Sequence, residues 1–129
     1  WKAVSVLAGN GWTKTNICFK KGSTLNIIAK GQWANGFYIR SSGTSYQPFY
    51  GADGQTTSDG QAVRNTWLLP TVNLGTLIGR MNNSNPFEVG SKYSQVVRQD
   101  ACLDLAINDN SDLKDNLGAL SVIINISIK

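Results

Sequence analysis

From Leu120 to Ile128 the chain is a nearly continuous run of Leu, Val and Ile, broken only by Ser121, Asn125 and Ser127. The run is too short to cross a bilayer, and its β-branched residues fit a pleated, buried strand. Shorter runs of the same kind recur at Val4–Leu7, Thr15–Phe19, Thr24–Ala29, Leu74–Met81, Phe87–Val89, Val96–Val97 and Ala101–Ile107. Between them stand Ala8-Gly9-Asn10-Gly11, Lys20-Lys21-Gly22-Ser23, Gly31, the Asn35-Gly36 pair, Asn82 to Pro86, and Gly90. These residue types turn a chain between strands, and Gly31 is expected to end the third run. No segment repeats apolar residues at helical spacing. About eight short strands with Gly-rich turns predict an all-β fold, an antiparallel two-sheet sandwich of the jelly-roll type.

A chain of 129 residues, 41% hydrophobic and 16% charged, suits a single domain over residues 1–129 with a substantial core. Burial of its Leu, Ile and Val side chains, at about 1.5–3 kcal/mol each, is enough to hold such a domain without a metal. No run approaches the length of a membrane span, and Trp1-Lys2-Ala3-Val4 lacks the apolar stretch of a signal peptide. The expectation is a soluble chain with no membrane insertion, cytoplasmic or released. The twelve basic residues are scattered from Lys2 to Lys129, with Lys20-Lys21 the only adjacent pair, so the net charge of +4 forms no nucleic-acid stripe.

The absence of histidine removes Ser-His and Cys-His catalysis, and two cysteines alone make none of the usual zinc sites. Glu88 is the only Glu, and most of the acids fall in turns, so nothing marks a raised-pKa acid for glycosidase chemistry. The chain is not expected to be an enzyme. Cys18 and Cys102 fall on two predicted strands, each alternating with inward apolar residues. Spacing alone leaves a disulfide and two free thiols both open.

The densest chemistry lies in Asn108-Asp109-Asn110-Ser111-Asp112-Leu113-Lys114-Asp115-Asn116. Three carboxylates, three side-chain amides and a hydroxyl stand within nine residues. Asn, Asp and Ser also make ordinary turns by bonding their own backbone. Here the loop joins two strongly apolar strands at the rim of a rigid sheet, and a divalent cation would relieve the repulsion of its carboxylates. It is no EF-hand: counted from Asn108, the sixth position is Leu113 and the twelfth Ala119, where that motif needs Gly and Glu. Any calcium held here needs a second loop. Residues 41–66, rich in Gly, Ser, Thr, Asp, Gln and Tyr, form a long irregular segment of the kind that carries function. Tyr38, Tyr46, Phe49, Tyr50 and Trp67 gather around it, either to pack it against the sandwich or to stack on the apolar face of a ligand.

Four stretches follow one another along the chain. They are Lys21–Ile27 with Gly31-Gln32-Trp33-Ala34, then Leu74–Met81, then Phe87-Glu88-Val89-Gly90. The last runs from Asn108-Asp109 through Asp115-Asn116-Leu117-Gly118 to Ser121-Val122. Together they resemble the calcium-dependent, galactose-specific bacterial lectins of the PA-IL type. The last stretch is the specific one, and it matches with a one-residue deletion between Asp109 and Asp115.

The resemblance implies a Ca2+ ion held by Asp109, by the carbonyl at Asp112, by the side chains of Asp115 and Asn116, and by a carbonyl after Trp33. That carbonyl is Gly36, with Asn35 and Tyr38 as alternative registers. It implies a galactose-containing glycan as partner, two of whose hydroxyls complete the metal shell and bond to Asp109, Asn110, Asp112 and Asp115. Gln61 and Ser58 fall where the family's second sugar contacts lie, with Ser58 at the position of a family His. Asp115 stands where the family usually has an amide, which adds a negative charge and strengthens cation binding. Family members are tetramers, so a homo-oligomer is expected. Two other classes stay open at this level: a glycan-targeting module of a larger enzyme or toxin, and a calcium-dependent membrane-surface domain that clamps anionic headgroups.

Overall fold

The computed structural model describes residues 2–35, 38–39, 41–55, 66–82, 84–109 and 116–127. The expected two-sheet antiparallel sandwich is what the chain forms. In chain order the strands are β1 Lys2–Leu7, β2 Thr13–Phe19, β3 Thr24–Asn35, β4 Tyr38–Ile39 and β5 Ser45–Tyr46. They continue with β6 Leu77–Met81, β7 Phe87–Glu88, β8 Lys92–Val96, β9 Ala101–Ile107 and β10 Asn116–Ser127. One sheet runs β1-β10-β3-β8 and the other β2-β9-β6-β7, while β4 and β5 pair separately.

Alternation along the strands builds the core. Leu25, Ile27, Ala29 and Trp33 of β3 and Leu120, Val122 and Ile124 of β10 turn inward, against Leu103, Leu105 and Ile107 of β9 and Leu77 of β6. Trp33 is fully buried, and its indole N–H donates to the Gly75 carbonyl at 2.8 Å, which satisfies the one polar atom of that side chain. Backbone bonds of 3.0 Å in both directions between Trp33 and Tyr50 lay the start of the long irregular segment beside β3.

Several boundaries differ from the sequence reading. Gly31 does not end its strand: β3 runs on for twelve residues, because β10 pairs with it along its whole length. Gly31 takes φ +105°, and a Cβ there would meet the Ala119 carbonyl of β10 at 3.2 Å. It is a place of close backbone approach within the sheet. β10 in turn begins at Asn116, four residues before the apolar run, and β6 begins at Leu77, with Leu74-Gly75-Thr76 forming a turn that receives the Tyr50 ring against Gly75. β8 opens at Lys92, well before Val96.

The open question of the cysteines is settled by register. Cys18 and Cys102 face each other on neighbouring strands β2 and β9 and form a disulfide that closes a separation of 84 residues. Among the described residues no helix is long and apolar enough to cross a membrane.

Candidate functional site

β9 ends at Ile107 and delivers Asn108 and Asp109 to one end of the sandwich. Asn108 is fully buried and wholly engaged. Its Oδ1 accepts the Leu69 N–H at 2.8 Å, and its Nδ2 reaches the carbonyls of Leu69, Val72 and Asn73 at 3.0–3.1 Å. Its backbone adds bonds to Gly75 and Thr76. Asn108, counted among the oxygen donors of the loop, is therefore a fastener that ties segment 69–76 to the end of β9. Its side chain is directed at segment 69–73, not at an ion.

Asp109 and Asn116 differ. Asp109 is 5% exposed and Asn116 7% exposed, both unusually deep for such side chains. The Leu68 N–H donates to the Asp109 carbonyl at 3.2 Å, which fixes its backbone. The Asn116 amide nitrogen donates to the Ala8 carbonyl at 2.9 Å and to Asp109 Oδ2 at 3.0 Å. Both amide protons are thus used, and the side chain can turn its oxygen in only one direction. That oxygen, Oδ1, is buried and has no hydrogen-bond partner among the described residues.

A buried amide oxygen left without a donor costs roughly 1–3 kcal/mol. Such an atom next to a carboxylate invites an electropositive partner, and both are hard oxygen ligands of the kind calcium selects. The donor set therefore fits the metal. Register supplies the neighbouring edge: Asn116 stands opposite Asn35, so the ends of β3 and β10 lie side by side at this pair.

Asp109 and Asn116 are the two expected ligands that the described residues bring together. Gly36, Asn110, Asp112, Asp115, Ser58 and Gln61 lie outside the described residues. Among the described residues no three His, Cys, Asp or Glu side chains gather. The Ala8 carbonyl that aims the Asn116 amide lies 108 residues away in sequence, and no local pattern marks it. Of the aromatic group, Trp67 is buried and Tyr50 packs against the core, whereas Phe49 stands 48% exposed with its ring over Gly118.

No protein-family model and no curated protein matches the chain. A solved structure does. It is described as the EclA N-terminal domain, a PllA-like lectin, and it aligns over 97% of this chain and 95% of its own with a TM-score of 0.68 and 26% sequence identity. The chain has the fold of a PllA-like lectin. The PA-IL-like resemblance of four short stretches thereby extends over nearly the whole sequence. Lectins are a non-enzymatic class, in keeping with the chemistry that a chain without histidine lacks.

Proposed function

We propose that the chain is a calcium-dependent lectin for galactose or galactosides, in which sugar hydroxyls coordinate the bound calcium directly. The observation that carries this reading is the orphaned, buried Oδ1 of Asn116 beside the Asp109 carboxylate. Asp109 and Asn116 would supply two of the six to eight oxygens that calcium takes. In this reading Asp112, Asp115 and the Gly36 carbonyl, drawn from the two adjoining loops, supply others, and the sugar closes the shell. Asn110 and the acids accept bonds from its hydroxyls, with Gln61 and Ser58 as outer contacts. Charge-assisted bonds of this type give direction to a weak binder, and weak sites gain from multivalency, so residues 1–129 would act as one binding domain within a homo-oligomer. The disulfide supports a released protein working in an oxidising setting.

The second reading is a glycan-targeting module of a longer protein, favoured by the matched structure being one domain of EclA. It shares the same site.

The test is retention on a galactose matrix with calcium and after chelation, together with thermal melts under both conditions. Calcium at about 100 times its Kd should add about 2.7 kcal/mol of stability. Asp109→Ala should abolish both the calcium shift and retention while leaving the far-UV spectrum of a β-sandwich. Galactose binding that survives Asp109→Ala or chelation unchanged defeats the mechanism. Binding to anionic vesicles that galactose does not relieve would point instead to the membrane-surface class.

A further inference from the structure

The disulfide does not sit in the core. Cys18 and Cys102 are both exposed, although Phe19 beside one and Ala101 and Leu103 beside the other are buried. The two cysteines line an open depression of about 290 Å3, together with Lys20, Asn82 and Asp100. A small thiol has room to reach the sulfurs there from solvent.

The strand that the disulfide holds is otherwise weakly tied. β2 is an edge strand, and its pairing with β9 is interrupted. Thr13 and Lys14 face Leu105 and Asp104, the register then shifts, and pairing resumes at Cys18 and Phe19. Thr15, Asn16 and Ile17 are left across from Leu103, with Asn16 at φ +60°. The Thr15 hydroxyl donates to the Leu103 carbonyl at 2.7 Å and accepts the Ile17 N–H at 3.1 Å, so a side chain bridges the gap in the ladder. At the cysteines the backbone of Cys102 faces away from β2. Its N–H donates to Asn82 Oδ1 at 2.9 Å and its carbonyl accepts the Asn82 N–H at 3.1 Å. Both main-chain groups of a strand residue point the same way, so Cys18 and Cys102 are a non-hydrogen-bonded pair. The disulfide takes the place of a ladder bond at that position.

We propose that this disulfide is a thiol-exchange site of the folded protein, and that it latches residues 16–19 of β2 to β9. The reductant is a dithiol. One of its thiolates attacks a cystine sulfur, the S–S bond breaks, and the other cysteine leaves as a thiolate. The reagent's second thiolate then resolves the mixed disulfide, and the reagent departs as its cyclic disulfide. It gives up two electrons, and its two protons end on Cys18 and Cys102. Access of the thiolate governs such exchange, and exposed disulfides are the labile ones. The Lys20 ammonium, in a loose surface pair with Asp100 at 3.6 Å, favours entry of an anionic nucleophile.

After reduction the end of β2 keeps the buried Phe19 side chain and its pairing with Ala101, but has no link at position 18, so it opens more often. The candidate site is remote from the latch. Asp109 lies seven positions beyond Cys102, about 23 Å at the usual strand rise.

The experiment needs neither calcium nor sugar, so its outcome is separate from that of the lectin reading. The folded chain is treated with dithiothreitol across a series of urea concentrations below the unfolding transition, and reduction is followed by alkylation and intact mass. Direct exchange gives a rate proportional to thiol concentration and flat in urea. A disulfide untouched in the native state, or a rate that climbs with urea as the unfolded population does, overturns the site. Amide hydrogen exchange in dithiothreitol should then show protection over residues 16–19 lowered by about tenfold or more, with β3 and β10 unchanged and the loss reversed on reoxidation. Protection in β2 that stays the same, or that vanishes across the whole domain, overturns the latch. The double variant Cys18→Ser/Cys102→Ser should reproduce the reduced pattern without reagent, and the reduced wild type decides if that variant fails to fold.

Discussion

Replacing Asn108 tests whether the acidic loop is anchored by structure or by metal. The wild-type amide accepts one hydrogen bond from the Leu69 N–H and shares its two N–H protons among the carbonyls of Leu69, Val72 and Asn73, all from one buried position. In Asn108→Ala the Leu69 N–H loses its acceptor inside the protein, and the three carbonyls, which lie nearer the surface, recover water in part. At about 1 kcal/mol net per bond, with a further penalty for the stranded donor, the loss is about 2–4 kcal/mol. For a chain of 129 residues about 1 kcal/mol corresponds to roughly 4 °C, so the melting temperature should fall by about 8–15 °C. Asn108→Asp is the sharper variant. It keeps an acceptor for Leu69 but turns an anionic oxygen toward three carbonyls, so at neutral pH it should cost at least as much as alanine. That carboxyl would have a raised pKa in the folded state, so its proton is held more tightly there than in the unfolded chain. The variant should therefore regain stability as pH falls and lose it as pH rises through the folded pKa. Calorimetry over a pH series with both variants measures this. If Asn108→Ala abolishes calcium binding while the melting temperature stays put, Asn108 is a ligand and the reasoning fails.

Replacing Cys18 and Cys102 together by Ala should cost about 2–4 kcal/mol, approaching the upper limit of about 4.5 kcal/mol that chain entropy sets for a loop of this size; urea unfolding of the variant and of the wild type checks it. Gly118→Ala puts a Cβ 2.8 Å from the Gln32 carbonyl and 3.0 Å from the Trp33 Cα at φ +85°, so it should cost about 1–3 kcal/mol and weaken calcium affinity through Asn116, read by melting and by calcium titration. Asp100 has its carboxyl pKa lowered from the usual 3.8, first by the Lys21 backbone N–H and then by the charge of Lys20. A depressed folded pKa contributes stability that is present above 3.8 and lost as pH falls through the folded value, so Asp100→Asn should flatten that acid limb, and a carboxyl chemical-shift titration should find Asp100 below the other surface acids.

The apolar runs were legible because alternation is a local property, and the sandwich follows from them. What local pattern could not show was register. Gly31 reads as a breaker from its neighbours, yet it sits inside β3 because Leu120 pairs with it across the sheet. Cys18 and Cys102 gave no connectivity until β2 and β9 became neighbours. The density of oxygen donors from Asn108 to Asn116 was equally plain, but composition treats all donors alike. Asn108 turned out to be bound to backbone 35–39 residues away, while the oxygen of Asn116 has no partner among the described residues because its amide nitrogen donates to a carbonyl from the far end of the chain and to Asp109. The division between fastener and ligand is made by partners the loop does not contain.

That division explains why the candidate site sits where two sheets meet. Asp109 follows β9, a strand of one sheet, and Asn116 opens β10, a strand of the other, so the 3.0 Å bond between them crosses the rim of the sandwich. Neither residue can move far without disturbing its own sheet, since Asp109 is held through Leu68 and Asn116 through Ala8 and the pairing with Asn35. The pair is thus preorganised: two hard oxygens are fixed on rigid elements before any ion arrives, which lowers the entropic cost of assembling a coordination shell. A cation bound to both would clip the sheets together at the rim. The core, built from the inward faces of both sheets, does not need that clip to fold, so in the proposed calcium reading the free energy of metal binding would be left for orienting whatever completes the shell.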